Sequence, residues 1–368
     1  MTSVLLLPGN ASSLHSEGRV ARRWLEDARA SVAALVGAEA RNVFFTASGT
    51  EAANAVLSPG LGQSARQRGC TELLVSTVEH PSILAGARFP TDKVTLVPVH
   101  ACGLLDMAEL NRIVQAKTEA GERVLLSLQA ANNETGILQP IAGAAELVHA
   151  AGGLVHVDAV QAAGRISCDI KTVCADVITL SGHKFGGPKG AASIVFASEE
   201  LRLAEPLIRG GGQERGQRAG TENVAAIAGL GLAAELALRN LDQFKAVARM
   251  REDLEAGILL RAADAVIFGR ALARLPNTSC FAVPGLRAET ALIGFDLDGV
   301  AVSSGSACSS GKVGRSHVLT AMGVDPHLIE GAIRVSLGPT TMPADLGRFF
   351  SALENRLSSL CKTRMRAA

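Results

Sequence analysis

Ser181-Gly182-His183-Lys184-Phe185-Gly186-Gly187-Pro188-Lys189-Gly190 is the stretch on which the reading of this chain turns. An apolar run, Asp176 to Ser181, leads into it with the composition of a strand. A lysine held in a glycine-rich turn at a strand's end is expected to be cramped and poorly solvated. Desolvation disfavours the ammonium and can lower a lysine pKa by up to about 3–5 units, which is what a nucleophilic, Schiff-base-forming lysine needs. An ordinary loop lysine is solvated and inert. The small residues around Lys184, with His183 beside it, favour the nucleophile.

Two upstream stretches carry matching chemistry. In His156-Val157-Asp158-Ala159-Val160-Gln161 an aspartate ends an apolar strand, where an unpaired carboxylate is costly. Asp158 there either caps a helix or faces a cation such as a protonated pyridine nitrogen, as in pyridoxal phosphate. With Lys184 downstream, the second reading is preferred. In Phe44-Phe45-Thr46-Ala47-Ser48-Gly49-Thr50-Glu51 a strand turns into a helix, and the free N–H groups of a helix start suit a phosphate. Ordinary capping would look the same.

Outward from these stretches, short β-branched runs alternate with helical patterns. Asn42–Thr46, Leu73–Thr77, Val94–Val97, Val124–Gln129, Leu154–Asp158, Asp176–Ser181 and Ala192–Ala197 read as strands. Several are apolar throughout, as in strands buried on both faces of a mostly parallel sheet. Met107–Lys117 and Ile141–Ala151 read as helices. The expected fold class is α/β, a doubly wound large domain over residues 12–242. A smaller α+β domain should follow over 243–368, with a long helix (Phe244–Ala262), strands at Asn277–Val283, Thr290–Leu297 and Ala332–Leu337, and a closing helix at Ala344–Leu357. Residues 1–11 are a candidate to pack on this smaller domain.

Composition narrows the function classes. Hydrophobic residues are 48% and charged residues 19%, which argues against disorder and coiled coil. Lys plus Arg is 36 against 35 Asp plus Glu, so no basic surplus points to nucleic acid. The apolar start, Val4 to Leu7, is short for a signal peptide, and Val224 to Leu238 is interrupted by Glu235, so no membrane segment is expected. The seven cysteines are dispersed and form no C-x-x-C pair, arguing against a disulfide framework or structural zinc and for a reducing cytoplasm.

At this point the residues resemble a known family: the pyridoxal phosphate-dependent cysteine desulfurases of the class V aminotransferase group, fold type I, in the group I (NifS/IscS-like) branch. The resemblance runs from Pro8 to Leu357. It rests on the blocks GNASSLHSEGR, FTASGTEAAN, VEHPSI, NNETG, HVDAVQ, SGHKFGGPKG, GGGQERGQRAGTEN, LPNTS, SSGSACSSG and AIRVSLG, in that order. It implies that Lys184 forms the Schiff base, Asp158 pairs with the pyridine nitrogen and Gln161 hydrogen-bonds the phenolic oxygen. Gly49, Thr50, Ser181 and His183 would hold the phosphate, with Thr221 reaching in from the partner subunit of a homodimer. His80 would stack on the ring and move protons, although it could instead cap the helix starting near Pro81. Asn133 and Arg334 would hold the substrate carboxylate, Arg334 as a bidentate fork.

Cys308 discriminates among members. It lies in Ser303-Ser304-Gly305-Ser306-Ala307-Cys308-Ser309-Ser310-Gly311, small polar residues that should form a mobile, exposed loop. At an unperturbed pKa only about 3% of a thiol is thiolate at pH 7, and a fall of about 1.5 units makes it half. By resemblance this cysteine takes sulfur from L-cysteine, giving L-alanine and a persulfide. It would pass the sulfur to an acceptor protein such as an iron–sulfur scaffold, meeting a cluster at most transiently; no resident metal is expected. The other six cysteines read as structural. Family members usually begin with a further strand and helix, so a late start or a truncated paralogue is expected here. Ala11 and Arg315 stand where prolines are common. The alternatives are a selenocysteine or cystine lyase, which need not use Cys308, and a non-catalytic dimeric scaffold.

Overall fold

A computed structural model describes residues 1–62, 68–305 and 315–367, with side chains through Cys361. Cys308 lies outside the described residues. The chain forms two compact units. The larger comprises Met1–Pro98, Leu105–Ala130 and Gln139–Leu241; the smaller comprises Val99–Leu104, Ala131–Leu138 and Asp242–Ala368.

The larger unit is built on a seven-stranded sheet of β1 (Val43–Thr46), β2 (Glu72–Ser76), β3 (Val94–Val97), β4 (Val124–Gln129), β5 (Leu154–Asp158), β6 (Val177–Ser181) and β7 (Ala192–Phe196). Their order is β1-β7-β6-β5-β4-β2-β3. Pairing is parallel from β6 through β3, while β7 runs antiparallel to both β6 and β1. Each expected strand is found to within one residue at either end. Every residue of β1, β2, β4, β6 and β7 is buried, which explains their unbroken apolar runs. The edge strand β3 instead exposes Leu96.

The helices of this unit are α1 (Thr2–Leu5), α2 (Ser16–Leu35), α3 (Gly49–Val56), α4 (Pro81–Leu84), α5 (Met107–Glu119), α6 (Ile141–Ala150) and α7 (Val224–Arg239). α1 lays Val4 against Ala225 and Ala228 of α7. Residues 1–11 therefore belong to the larger unit and not to the smaller one, because the apolar side chain at the start finds its partners on α7. α7, the longest apolar helical stretch of the sequence, buries one face, its alanines and glycines packed on α2. Among the described residues no single helix is long and apolar enough to cross a membrane.

The smaller unit contains α8 (Phe244–Arg261), β8 (Val266–Ile267), β9 (Thr278–Ala282), α9 (Ala288–Leu297), β10 (Ser303–Ser304), α10 (His317–Ala321), α11 (Pro326–Glu330), β11 (Ile333–Ser336) and α12 (Pro343–Ala367). Its antiparallel sheet runs β10-β11-β9-β8. Phe281, Phe295 and Phe349 meet in its core, the last two stacked at 5.4 Å. The expected strand at Thr290–Leu297 is a helix. Ala288, Ala291 and Phe295 are buried at helical spacing while Ile293 and Leu297 are exposed, and a short apolar run does not by itself separate the two periods. Two stretches expected in the large domain, 99–104 and 131–138, also belong here: Ile137 bridges Arg274, and Leu138 N–H donates to the Ala273 carbonyl.

Candidate active site

Side chains of the larger unit's candidate site gather where the parallel strands end. Asp158 closes β5 and Ser181 closes β6, the neighbouring strand. Lys184 follows in a single helical turn, Gly182–Lys184, made sharp by glycine: Gly186 has φ +95°, and a Cβ on Gly187 would lie 2.9 Å from the Gly182 carbonyl oxygen. The turn is more open than its composition suggested, with Lys184 half-buried and His183, Gly186, Lys189 and Gly190 exposed. Burial and the positive charges of Lys184 and Lys189 lower the His183 pKa, favouring a neutral imidazole whose Nδ1 lies 2.9 Å from Ser181 Oγ.

Asp158 is half-buried. Desolvation pushes its pKa up to about 6, against the pull of the Val160 N–H bond at 2.9 Å and the charge of Lys184. No helix follows Asp158, so it is not a helix cap; its carboxylate instead closes a turn by accepting the Val160 N–H.

The start of α3 fits against the end of β6. A Cβ on Gly49 would come 3.3 Å from Val160 Cγ2 and 3.4 Å from Ser181 Cβ, so the helix start lies close against this strand end. Ser48 caps the helix by accepting from Glu51 N–H at 3.1 Å, leaving the first N–H groups, those of Gly49 and Thr50, without a carbonyl one turn earlier. Glu51 ties this corner to the glycine-rich 210–223 loop: it accepts from Ala47 N–H at 2.9 Å and from Arg218 Nε at 3.0 Å. The loop itself is held by a buried pair. Glu214 takes Arg29 in a fork at 2.8 and 2.9 Å and accepts Phe45 N–H at 2.8 Å. Thr221 is exposed on this loop and lines a small cavity with Gly190, Arg218 and Asn223.

His80 does cap α4: its Nδ1 accepts from Ser82 N–H at 3.2 Å and sits 2.8 Å from Ser82 Oγ. Capping engages Nδ1 at one ring edge, which is compatible with a stacking role for the ring.

The smaller unit brings together the residues expected for the carboxylate, far apart in sequence. Arg334 on β11 donates from Nη1 to the Asn133 carbonyl oxygen at 2.8 Å. Arg334 Nε and Asn133 Oδ1 are buried without hydrogen-bond partners among the described residues. An orphaned guanidinium N–H suits a carboxylate guest, and turning over the Asn133 amide would present its NH2 there.

Several residues escaped the sequence reading. Arg165 donates to the Gln161 carbonyl and, at 2.7 Å, to the Lys184 carbonyl, joining the two turns. Gln161 itself is half-buried, its side chain 3.3 Å from Arg165. Glu79 is fully buried beside His80 and accepts Gln129 N–H at 2.8 Å; desolvation and Asp158 raise its pKa well above the usual range. His156 is buried between Ser127 Oγ and Thr179 Oγ1 at 2.8 and 2.9 Å, its pKa pushed down to about 3 by burial. For His156 the available signal was a titratable type inside an apolar strand; Arg165 and Glu79 lie in turns and carried none. Of the six described cysteines, Cys70, Cys168 and Cys280 are buried, with thiols raised by burial. Cys102, Cys174 and Cys361 are exposed, so the structural reading does not extend to them.

Comparison with known proteins bears on this arrangement. The class-V aminotransferase model matches residues 5–349. A cysteine desulfurase of Cereibacter sphaeroides is 42% identical over 94% of this chain and 87% of its own, and one of Gluconacetobacter diazotrophicus is 40% identical over 96% and 87%. The chain belongs to the cysteine desulfurases of the class-V aminotransferase family. The crystal structure of a NifS-like protein from Rickettsia africae superposes with a TM-score of 0.85 at 34% identity, covering 97% of this chain and 94% of that one. Cysteine desulfurases are pyridoxal phosphate enzymes of fold type I, and the mixed α/β architecture with its large mostly parallel sheet is theirs. The residues present fit that cofactor. The close approach at Gly49 leaves anion-seeking N–H groups beside Ser181, and the elevated pKa of Asp158 marks a carboxylate that a cation at a ring nitrogen would stabilise.

Proposed function

We propose that the protein converts L-cysteine to L-alanine, with Cys308 as the first sulfur acceptor. The substrate C–S bond breaks and an S–S bond forms on Cys308. Cβ is reduced to a methyl group while the transferred sulfur is oxidised to the persulfide level, so no outside oxidant or reductant is required. The observation that carries this reading most is the Lys184–Asp158 pair at neighbouring strand ends, set beside the anion-seeking start of α3.

Pyridoxal phosphate, when bound, supplies the sink for the electron pair left by removal of the α-proton. Lys184 anchors the cofactor and takes and returns that proton at Nζ. Asp158 would keep the ring nitrogen protonated, Gln161 would bond the phenolic oxygen, and Gly49, Thr50, Ser181 and His183 would hold the phosphate. His80 would stack on the ring and move protons. Asn133 and Arg334 orient the substrate carboxylate, using the guanidinium N–H that has no hydrogen-bond partner among the described residues. The Cys308 thiolate removes the sulfur. The working form is a cytoplasmic homodimer in which Thr221 of the partner subunit completes the phosphate site, and an iron–sulfur scaffold is the acceptor that best matches a persulfide product.

The test is Cys308→Ser. Cofactor binding and substrate capture should persist, because neither uses the thiol. Alanine and sulfide release should fall to near background, and mass spectrometry of the wild type after L-cysteine should find one added sulfur on the Cys308 peptide. A serine variant that turns over at the wild-type rate would move the acceptor elsewhere and favour the lyase reading.

A further inference from the structure

Glu134 sits next to Asn133 in the smaller unit, and 3% of it is exposed. Its N–H donates to Asn132 Oδ1 at 2.9 Å, fixing the turn. Its carboxylate accepts the Ser316 hydroxyl. That serine is the N-cap of α10, already accepting Leu319 N–H at 3.0 Å, so its own proton is the one directed at Glu134. On another side lies Gly305, where a Cβ would come 3.4 Å from Glu134 Oε2. The Arg334 guanidinium, held by the Asn133 carbonyl, acts on the same carboxylate. A buried acid thus lies within reach of the charge of the arginine whose Nε has no hydrogen-bond partner among the described residues, and the chemistry already described does not use it.

We propose that Glu134 is a positioning residue for the substrate carboxylate, setting the charge around Arg334 and coupling carboxylate binding to the uptake of a proton. The inference rests on the reading of Arg334 as the carboxylate-binding residue. An ionised Glu134 competes with a guest carboxylate for the same cation; a protonated one does not. Burial has pushed the Glu134 pKa up to about 7, while the Ser316 bond and Arg334 hold it from going higher. A carboxylate on Arg334 cancels the arginine's part, so Glu134 becomes more basic when the site fills. The sign follows: affinity is full below about pH 7 and falls as pH rises through that value, by on the order of tenfold for each pKa unit of coupling. Among the described residues, Cys280 and Arg274 also bear on this corner of the unit. The Cys280 thiol on β9 is raised by burial and by Glu134 itself, and Arg274 is forked onto Glu255 at 2.7 and 2.9 Å.

The experiment titrates L-alanine, a carboxylate with no thiol, into the full-length cofactor-loaded protein by calorimetry from about pH 6 to about pH 8, in buffers of different ionisation enthalpy. Wild type should bind more weakly as pH rises and take up protons. Glu134→Gln keeps an acceptor for Ser316 but no charge; binding should be tighter at the upper end and lose this pH dependence and the associated uptake. Ser316→Ala retains the acid without its hydroxyl bond, and the inflection should move upward. Titrations of the cofactor are common to all three proteins and cancel in the comparison. If Arg334→Ala leaves L-alanine binding unchanged, the carboxylate reading fails and this inference with it. If Arg334→Ala weakens binding while Glu134→Gln and Ser316→Ala keep the wild-type pH profile and proton uptake, the inference about Glu134 alone is overturned.

Discussion

The proposed cofactor cluster of the larger unit and the proposed carboxylate pair of the smaller one are assembled by different routes. Asp158, Ser181 and Lys184 come from the ends of neighbouring strands, and each is delivered by its own short motif, strand then turn. Asn133 and Arg334 come from an eight-residue excursion, 131–138, and from a strand near the end of the chain, joined by one hydrogen bond. A parallel sheet places successive strand ends side by side by construction, so a site there needs little long-range agreement. The carboxylate pair needs the excursion and β11 to find each other. That difference predicts separable phenotypes: damage to the first cluster should appear as lost cofactor, damage to the second as a raised KM with cofactor retained.

The largest effect expected is at Lys184. Lys184→Ala should abolish borohydride-fixable cofactor and lower turnover by at least about 10²–10⁴-fold, the usual worth of a positioned proton-transfer group. Absorbance after borohydride and alanine release check it. Retained fixation would break the comparison at its centre, since the cofactor would then be held by another lysine.

Next comes Arg334→Ala. Loss of a charge-assisted bond is worth about 1.5–3 kcal/mol, which corresponds to a KM for L-cysteine raised roughly 10–100-fold with the cofactor spectrum unchanged. A variant that also loses its cofactor would show that the two clusters are not separable.

Arg165→Ala should be milder. It removes the tie between the Gln161 turn and the Lys184 carbonyl, so cofactor loss on dialysis should quicken several-fold, in keeping with about 1 kcal/mol for a hydrogen bond. Unchanged retention would confine the cofactor cluster to the residues of its sequence motifs.

The smallest effect concerns stability. His156, buried neutral in the larger sheet, has its pKa lowered to about 3. Its unfolded form gains a proton near pH 6.5, so the stability it contributes is present above that pH and lost as pH falls towards about 3. Urea midpoints should therefore decline more steeply through this window in wild type than in a His156→Gln variant. Parallel slopes would remove His156 from the account.

The extent of the sequence's legibility follows the same division. The strands of the large sheet were readable because burial on both faces leaves apolar runs with no competing period, and the motif residues were readable because each sits at the end of one such run. Residues 1–11 were placed wrongly, since nothing local in Val4 points to α7. Thr290–Leu297 was misread because eight apolar-rich residues satisfy two periods until a partner surface chooses between them. Cys308 lies outside the described residues, so its role rests on the small polar neighbours in the sequence and on the family resemblance.

By itself, then, the sequence determined the α/β class and the order of the strands along the chain, and it singled out the lysine and aspartate proposed to hold the cofactor. These are local matters, set by burial pattern and by which side chain ends which strand. Only the tertiary structure decided that 99–104 and 131–138 belong with the C-terminal unit, that Asn133 holds Arg334, and that Glu134, Glu79 and Arg165 stand behind the residues with named roles. Each of those facts is a contact between segments distant along the chain, and the environment of a buried charge is created by what folds over it.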